Sequence, residues 1–149
     1  MRAQVADLTR TKWGSDLVVS RGRSWYPAQL PGFLVRVNEE TAGLVSYHIE
    51  AEQCEVVTLH SWVDNIGIGT SLLKEVTQCA VEARCRRVWL ITTNDNLHAL
   101  GFYQKRGFRM VAVYPNALAV SRQLKPEIPF IGFDNILLRD EIELELPLG

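Results

Sequence analysis

The sequence predicts an α+β protein with αβα layers, built on a mixed, mostly antiparallel sheet of six to seven strands. Three strand-like runs, 33–37, 43–49 and 54–60, follow one another with turn residues between them, as in an antiparallel meander. Apolar residues then recur at helical spacing over 70–84 and lead into the β-branched run 87–92, which makes a central β-α-β crossover. A parallel pair that diverges at one end leaves a crevice there, and ligands bind in crevices at the carboxyl ends of strands.

The remaining elements flank this unit. We expect a short strand at 16–20 and a helix over 97–106. Gly107 ends that helix in the left-handed conformation that glycine adopts at low cost. Further strand-like, helical and strand-like patterns follow at 108–114, 117–124 and 141–146.

Length and composition indicate one domain over residues 1–149 with a substantial core, since 47% of the residues are hydrophobic. The formal net charge of −1 gives no electrostatic reason to expect nucleic acid or an anionic membrane as a partner. No apolar run approaches the roughly 20 residues of a membrane span, and the first residues lack the apolar core of a secretion signal. The three cysteines form no C-x-x-C pair. We therefore expect a reduced, cytoplasmic protein.

The three histidines, His48, His60 and His98, have no metal-ligand spacing, and the cysteines do not supplement them, so we expect no metal site.

A glycine-rich turn lies between a predicted strand and the long predicted helix. Gly67 and Gly69 let the backbone approach a ligand, and the amides at the start of the helix suit a phosphate or diphosphate. Two glycines fit a tight turn without a ligand equally well. A P-loop is excluded because no lysine follows Gly69, and a Rossmann fingerprint is excluded because Leu72 occupies the third glycine position.

A second motif follows one helix and one strand later. Residues 96–108 match Asn-x-x-Ala-x-x-Phe-Tyr-x-x-x-Gly-Phe at every fixed position, with Asn96, Ala99 and Tyr103 on one helical face. Together with the glycine turn, this sequence resembles the GNAT superfamily of acyl-CoA-dependent N-acyltransferases over about residues 33–113. The resemblance implies the GNAT fold and an acetyl-CoA-dependent N-acetyltransferase.

The resemblance also implies where acetyl-CoA binds as co-substrate, between the splayed strands and against the glycine turn. The residues implied for the coenzyme are Thr58, Leu59, His60, Asn65, Ile66, Gly67, Ile68, Gly69, Thr70, Asn96, Phe102 and Tyr103. One position departs from the family pattern. Asp64 stands three residues before Gly67, where the family has arginine or glutamine. We expect this acidic side chain to weaken coenzyme binding without removing the site, because backbone amides contribute most of the anion binding.

The resemblance implies that Tyr103 is the general acid, because a phenol with an ordinary pKa of about 10 can donate a proton to a departing thiolate. An alternative is an aromatic ring that only packs between Phe102 and Phe108.

Glu55 is the candidate general base, and some family members use a glutamate at this place. Strict alternation puts its side chain in one row with Val57 and Leu59, where partial burial would raise the carboxyl pKa toward neutrality. An ion pair between Glu55 and Arg36 is an equally plausible role. The other candidate bases are His60, His48 and water.

The sequence therefore predicts transfer of an acetyl group to a primary amine of a small molecule or peptide. The alternative function is a non-catalytic acyl-CoA-binding module with the same fold. The acceptor is unassigned, because acceptor specificity in the family lies in variable loops, here 24–32 and 125–139. Dimerisation is common in the family, which leaves a homodimer open.

Overall fold

In the computed structural model, which describes residues 17–63 and 66–149, three helices and a two-stranded hairpin accompany a six-stranded sheet. The strands are β1 (Val18–Ser20), β2 (Arg23–Trp25), β3 (Gly32–Val37), β4 (Glu40–Glu50), β5 (Gln53–Ser61), β6 (Arg87–Thr93), β7 (Arg109–Tyr114) and β8 (Glu141–Pro147). The α-helices are α1 (Ile68–Glu82), α2 (Leu97–Lys105) and α3 (Ala117–Leu124), and single 3-10 turns lie at Pro27–Gln29 and Phe133–Asn135.

The sheet order is β3-β4-β5-β6-β8-β7, and every neighbouring pair is antiparallel except the parallel pair β5 and β6. Helix α1 connects that pair and so forms the expected crossover. The predicted fold class is confirmed. The last strand enters the sheet between β6 and β7, a position that the local sequence pattern does not indicate.

The parallel strands separate after a short stretch of pairing. Their register runs from Gln53 opposite Arg87 to Val56 opposite Leu90. Strand β5 then continues to Ser61 paired only with β4, whereas β6 stays paired with β8 as far as Thr93. The carboxyl-terminal half of β5 therefore offers a backbone edge that β6 does not occupy.

A β-bulge at Val57 accompanies the separation. Tyr47 of β4 pairs with Val56, whereas the adjacent Ser46 pairs with Thr58, so Val57 is an extra residue on β5. A bulge bends its strand and increases the local twist. This distortion directs β5 away from β6 where the parallel register ends.

The bulge also changes which side chains of β5 share a face. One extra residue moves the alternation by one position. Glu55 therefore lies on the same face as Thr58 and His60. The prediction that Glu55 lies in a row with Val57 and Leu59 is wrong, because strict alternation does not allow for the bulge.

The hydrophobic core lies between α1, α2 and one face of the sheet. Helix α1 begins at buried Ile68, two residues earlier than its predicted start, and also buries Leu72 and Val76. These side chains pack with buried sheet residues, among them Val88 and Leu144, in one contiguous cluster. Tyr103 of α2 and Phe108 belong to the same cluster, which fixes α2 beside α1.

The β1–β2 hairpin covers the opposite face of the sheet, and α3 contacts β1. The hydroxyl of Ser20 donates to the Glu55 carboxylate at 3.4 Å, and Trp25 packs on His48 with ring centroids 4.9 Å apart. Strand β1 confirms the predicted short strand at 16–20 over Val18–Ser20. Leu17 is not part of the strand, and residue 16 lies outside the described residues. Strand β2 was not predicted.

Candidate active site

The glycine turn positions the first turn of α1. Gly67 caps the helix in the left-handed conformation, with φ 75° and ψ 18°. A Cβ at this position would meet no atom within 4 Å, so the backbone angle is what favours glycine. A Cβ on Gly69 would lie 3.1 Å from the Phe102 ring. The amides that follow Gly67 are among the donors that a helix start leaves without intrahelical acceptors.

Arg106 brings a positive charge to this helix start. Its Nε donates to Thr70 Oγ1 at 2.8 Å, and its Nη1 donates to the Phe102 carbonyl at 2.8 Å. The guanidinium also lies over the Phe102 ring, 3.7 Å from the centroid. A groove of about 530 Å³ beside it is lined by both Arg106 and Lys74. Arg106 was not among the predicted site residues, although it follows Phe102 by four residues, about one helical turn.

Asn96 organises the start of α2. Its Oδ1 accepts a hydrogen bond from the Ala99 amide at 3.1 Å, which makes it the N-cap of the helix. Asn96, Ala99 and Tyr103 all line one cavity. Leu97 and His98 line the cavity too, so the shared helical face of these three residues stays a prediction.

Tyr103 is 8% exposed and packs edge-on against two phenylalanines, with ring centroids 5.2 Å from Phe102 and 5.5 Å from Phe108. Burial raises its pKa well above the ordinary value of 10, because the charged phenolate would lose its hydration. The side chain therefore stays protonated at neutral pH. Tyr103 therefore packs in the core and also lines the cavity.

The cavity has a volume of about 480 Å³ and lies between the free half of β5, the start of α2 and the 3-10 turn at Phe133–Asn135. Its lining residues are Leu59, His60, Ser61, Gly69, Asn96, Leu97, His98, Ala99, Phe102, Tyr103, Phe133 and Asp134. Burial lowers the pKa of His60 to about 4, so its imidazole is uncharged at neutral pH. The cavity joins residues of both predicted motifs.

Glu55 is 7% exposed and lies outside the cavity lining, opposite His48 on β4 and Trp89 on β6. Burial raises its pKa from 4.5 to about 7, with the Ser20 hydrogen bond and the charge of Arg23 acting in the opposite direction. Among the residues that the structure describes, Ser20 is the hydrogen-bond partner of Glu55. The predicted alternative, an ion pair between Glu55 and Arg36, is not formed between these two described residues.

Comparison with known proteins identifies the family. The family model described as "Acetyltransferase (GNAT) family" matches residues 4–108. The chain belongs to the GNAT acetyltransferase family. It is 45% identical over 141 residues to "Uncharacterized protein YdhI" of Bacillus subtilis (strain 168), covering 93% of this chain and 87% of that protein.

Solved structures agree with this assignment. A GNAT family acetyltransferase from Elizabethkingia anophelis, with acetyl-CoA bound, is 28% identical with a TM-score of 0.65, covering 77% of this chain and 74% of that one. "IAA acetyltransferase" from Bacillus cereus ATCC 14579 shares the fold, with 21% identity and a TM-score of 0.69, covering 82% of this chain and 81% of that one.

The GNAT chain brings most of its predicted coenzyme residues to two adjoining places. Cavity residues are Leu59, His60, Gly69, Asn96, Phe102 and Tyr103. The turn beside the cavity carries Ile66, Gly67, Ile68 and Thr70. Thr58 lies apart from the lining and shares a 2.5 Å hydrogen bond with Ser46. Asp64 and Asn65 lie outside the described residues.

Within residues 17–63 and 66–149, no group of three or more His, Cys, Asp or Glu side chains is placed to hold a metal ion. In the same ranges, no helix is both long and apolar enough to cross a membrane.

Proposed function

We propose that this GNAT protein transfers an acetyl group from acetyl-CoA to a primary amine, with Tyr103 as general acid and Glu55 as general base. The observation that carries the proposal is the place of Tyr103. A buried, neutral phenol forms the wall of a cavity that also contains Gly69 of the glycine turn and the free half of β5.

The residues present suit an acyl-CoA. The amides of Ile68–Thr70 and the charge of Arg106 would hold the diphosphate, because both stabilise an anion at a helix start. The edge of β5 that β6 leaves free would pair with the amide-bearing arm, as extended ligands do at sheet edges. The Elizabethkingia anophelis protein, with acetyl-CoA bound, has a similar fold and is 28% identical in sequence.

The reaction needs three contributions from the chain. The amine nitrogen must attack the thioester carbonyl in its neutral form, and a backbone N–H near Leu59 would stabilise the oxygen that gains charge. The new C–N bond replaces the C–S bond, and Tyr103 donates its proton to the sulfur as the thiolate forms. Its raised pKa keeps the phenol protonated until the bond breaks. The proton that the attacking amine loses to the base then returns through water to the phenolate.

Glu55 is the base that best matches neutral pH. A carboxyl with a pKa of about 7 is half ionised there and can accept the proton of the attacking nitrogen. His60 lines the cavity, but its pKa of about 4 makes it a weak base. Since Glu55 lies outside the cavity lining, the proton would reach it through water.

A non-catalytic acyl-CoA-binding module is the second candidate. The acidic Asp64, which replaces the family's arginine or glutamine, favours this function. Asn96 and Tyr103, both in the cavity wall, favour catalysis.

Single-turnover cleavage of the acetyl-CoA thioester, measured with a panel of amines, separates the two candidates. We expect Tyr103→Phe to lower the rate by roughly a hundredfold or more, the usual contribution of a general acid, while the Kd of acetyl-CoA changes less than about twofold. Tyr114→Phe is the matched control, because its hydroxyl binds Glu143 away from the cavity. Cleavage within about a factor of two of wild type in Tyr103→Phe would refute the acid role.

A further inference from the structure

The tip of the β7–β8 connection forms one wall of the cavity. The buried side chain of Asp95 holds it in place. Asp95, 3% exposed, accepts hydrogen bonds from the Thr93 hydroxyl at 2.5 Å and from the Phe133 amide at 2.9 Å. A Cβ on Gly132 would lie 2.0 Å from Asp95 Oδ2, so only glycine permits this contact. The bridge between Ile131 and Leu137 closes the base of the loop. These contacts fix the position of the loop in the cavity wall.

Asp134 gives this wall a negative charge. It is the acidic residue among the described residues of the lining, and no lysine or arginine lines the cavity with it. In the described chain its carboxylate has no ion pair or hydrogen bond. It occupies the left-handed region with φ 55°, as does the following Asn135 with φ 61°. The carboxylate is therefore available to a ligand.

The charge of Asp134 is unsuited to the coenzyme. The phosphates of an acyl-CoA are anionic and its arm and thioester are neutral, so none of these groups would neutralise a carboxylate. An acceptor amine can supply a cation. The carboxylate thus favours the acceptor as its partner by charge complementarity.

The paired cation cannot be the nitrogen that reacts. A carboxylate beside the reacting ammonium would favour its charged form and raise its pKa, which lowers the fraction of neutral nucleophile. A second cationic group on the acceptor avoids this conflict. It stays charged throughout the reaction, while the first nitrogen reacts at the uncharged part of the cavity beside His60 and Tyr103.

Apolar side chains line the same cavity. Phe133 and Leu97 line the cavity and are 65% and 52% exposed, which leaves apolar surface for a hydrocarbon chain. We propose that the acceptor is a diamine or related dication, in which one amine is acetylated and the second ammonium pairs with Asp134, the connecting chain lying on Phe133 and Leu97. This inference rests on the proposed acetyl transfer and assigns its substrate class.

Three acceptors with one shared aminobutyl chain test the charge preference. Putrescine, pentylamine and δ-aminovalerate end in an ammonium, a methyl and a carboxylate. We expect KM to be lowest for putrescine, by about fivefold relative to pentylamine, the effect of a solvent-accessible ion pair. We expect δ-aminovalerate to have the highest KM. A second trio with the same three chain ends on a longer hydrocarbon chain tests acceptors whose second charge lies further from the reacting nitrogen.

Asp134→Asn should remove the preference and leave the KM of acetyl-CoA unchanged. Asparagine tolerates the left-handed backbone, so the loop should keep its conformation. Glu127→Gln is the matched control, because Glu127 is exposed in the same connection but absent from the cavity lining. Phe133→Ala should raise KM for the diamine and the monoamine alike, since it removes only the apolar contact.

Equilibrium binding of the same acceptors to the CoA-saturated protein gives a result that does not depend on turnover. A preference for the dication that disappears in Asp134→Asn supports the substrate class, even if the transfer proposal fails. No preference for the dication in either trio, or a preference that survives in Asp134→Asn, would overturn it. Thioester cleavage with monoamines alone would overturn this inference and leave the proposed acetyl transfer intact.

Discussion

Glu55→Gln tests both the burial and the catalytic role of this carboxyl group. The pKa of Glu55 rises from 4.5 to about 7 on folding because its ionised form is desolvated. The difference of about two and a half pH units, at 1.36 kcal/mol for each, makes ionised Glu55 destabilising by about 3 kcal/mol. Glutamine keeps the side chain's size and its acceptor toward Ser20 but has no charge to desolvate.

The sign of the pH dependence follows from proton binding. Below pH 4.5 the carboxyl is protonated in both states and contributes no pH dependence. Between 4.5 and about 7 the folded state holds more protons than the unfolded state, so the free energy of unfolding falls as pH rises. Above about pH 7 the ionisation of Glu55 causes no further fall in the free energy of unfolding. Glu55→Gln should therefore be about 2–3 kcal/mol more stable relative to wild type at pH 8 than at pH 5.

Urea unfolding of both proteins across this range measures the difference, with Glu75→Gln, an exposed glutamate of α1, as the control. If Glu55 is the base, the stabler variant should also have a kcat/KM roughly a hundredfold lower than that of wild type. The ionisation near pH 7 should disappear from the pH dependence of its kcat/KM. A stability difference that does not depend on pH would refute the burial argument. A stabler variant with full activity would make Glu55 a structural residue only.

Three further changes test the parts of the site separately. Arg106→Gln should raise the Kd of acetyl-CoA by about tenfold, the effect of losing a charge-assisted hydrogen bond, without changing kcat at saturation. Calorimetry measures the Kd, with Arg86→Gln at an exposed arginine as the control. Gly67→Val should abolish coenzyme binding because φ 75° is strained for a β-branched residue, whereas Gly101→Ala, which meets open space, should bind normally. Asp95→Ala should lower the free energy of unfolding by about 1–3 kcal/mol and raise the amine KM, measured by urea unfolding and initial rates; an unchanged KM would refute its role as a positioning residue.

Much of the fold was predictable because its signals are local. The alternating strands, the amphipathic helix α1 and the glycine after α2 each depend on residues close in sequence. Gly107 has φ 94°, as the helix end predicted. The resemblance of two motifs singled out Asn96 and Tyr103, and both line the cavity. Their roles toward the coenzyme stay a prediction.

The rest depends on contacts between distant residues. Strand β8 pairs with β6 across more than forty residues, from Thr93 opposite Glu141 to Arg87 opposite Pro147, and no local pattern records that choice. The bulge at Val57 lies in the pairing of β5 with β4, which the alternation of β5 alone does not record. Simple alternation therefore put Glu55 on the same face as the wrong residues. The hydrogen bond between Asp95 and the Phe133 amide likewise joins segments 38 residues apart.

A crystal structure of the complex with CoA tests the central claim most directly. The account predicts a diphosphate on the amides of Ile68–Thr70 and a sulfur within roughly 3.5 Å of the Tyr103 hydroxyl, the reach of proton donation. A diphosphate bound away from that helix start, or a sulfur beyond the reach of Tyr103, would contradict it.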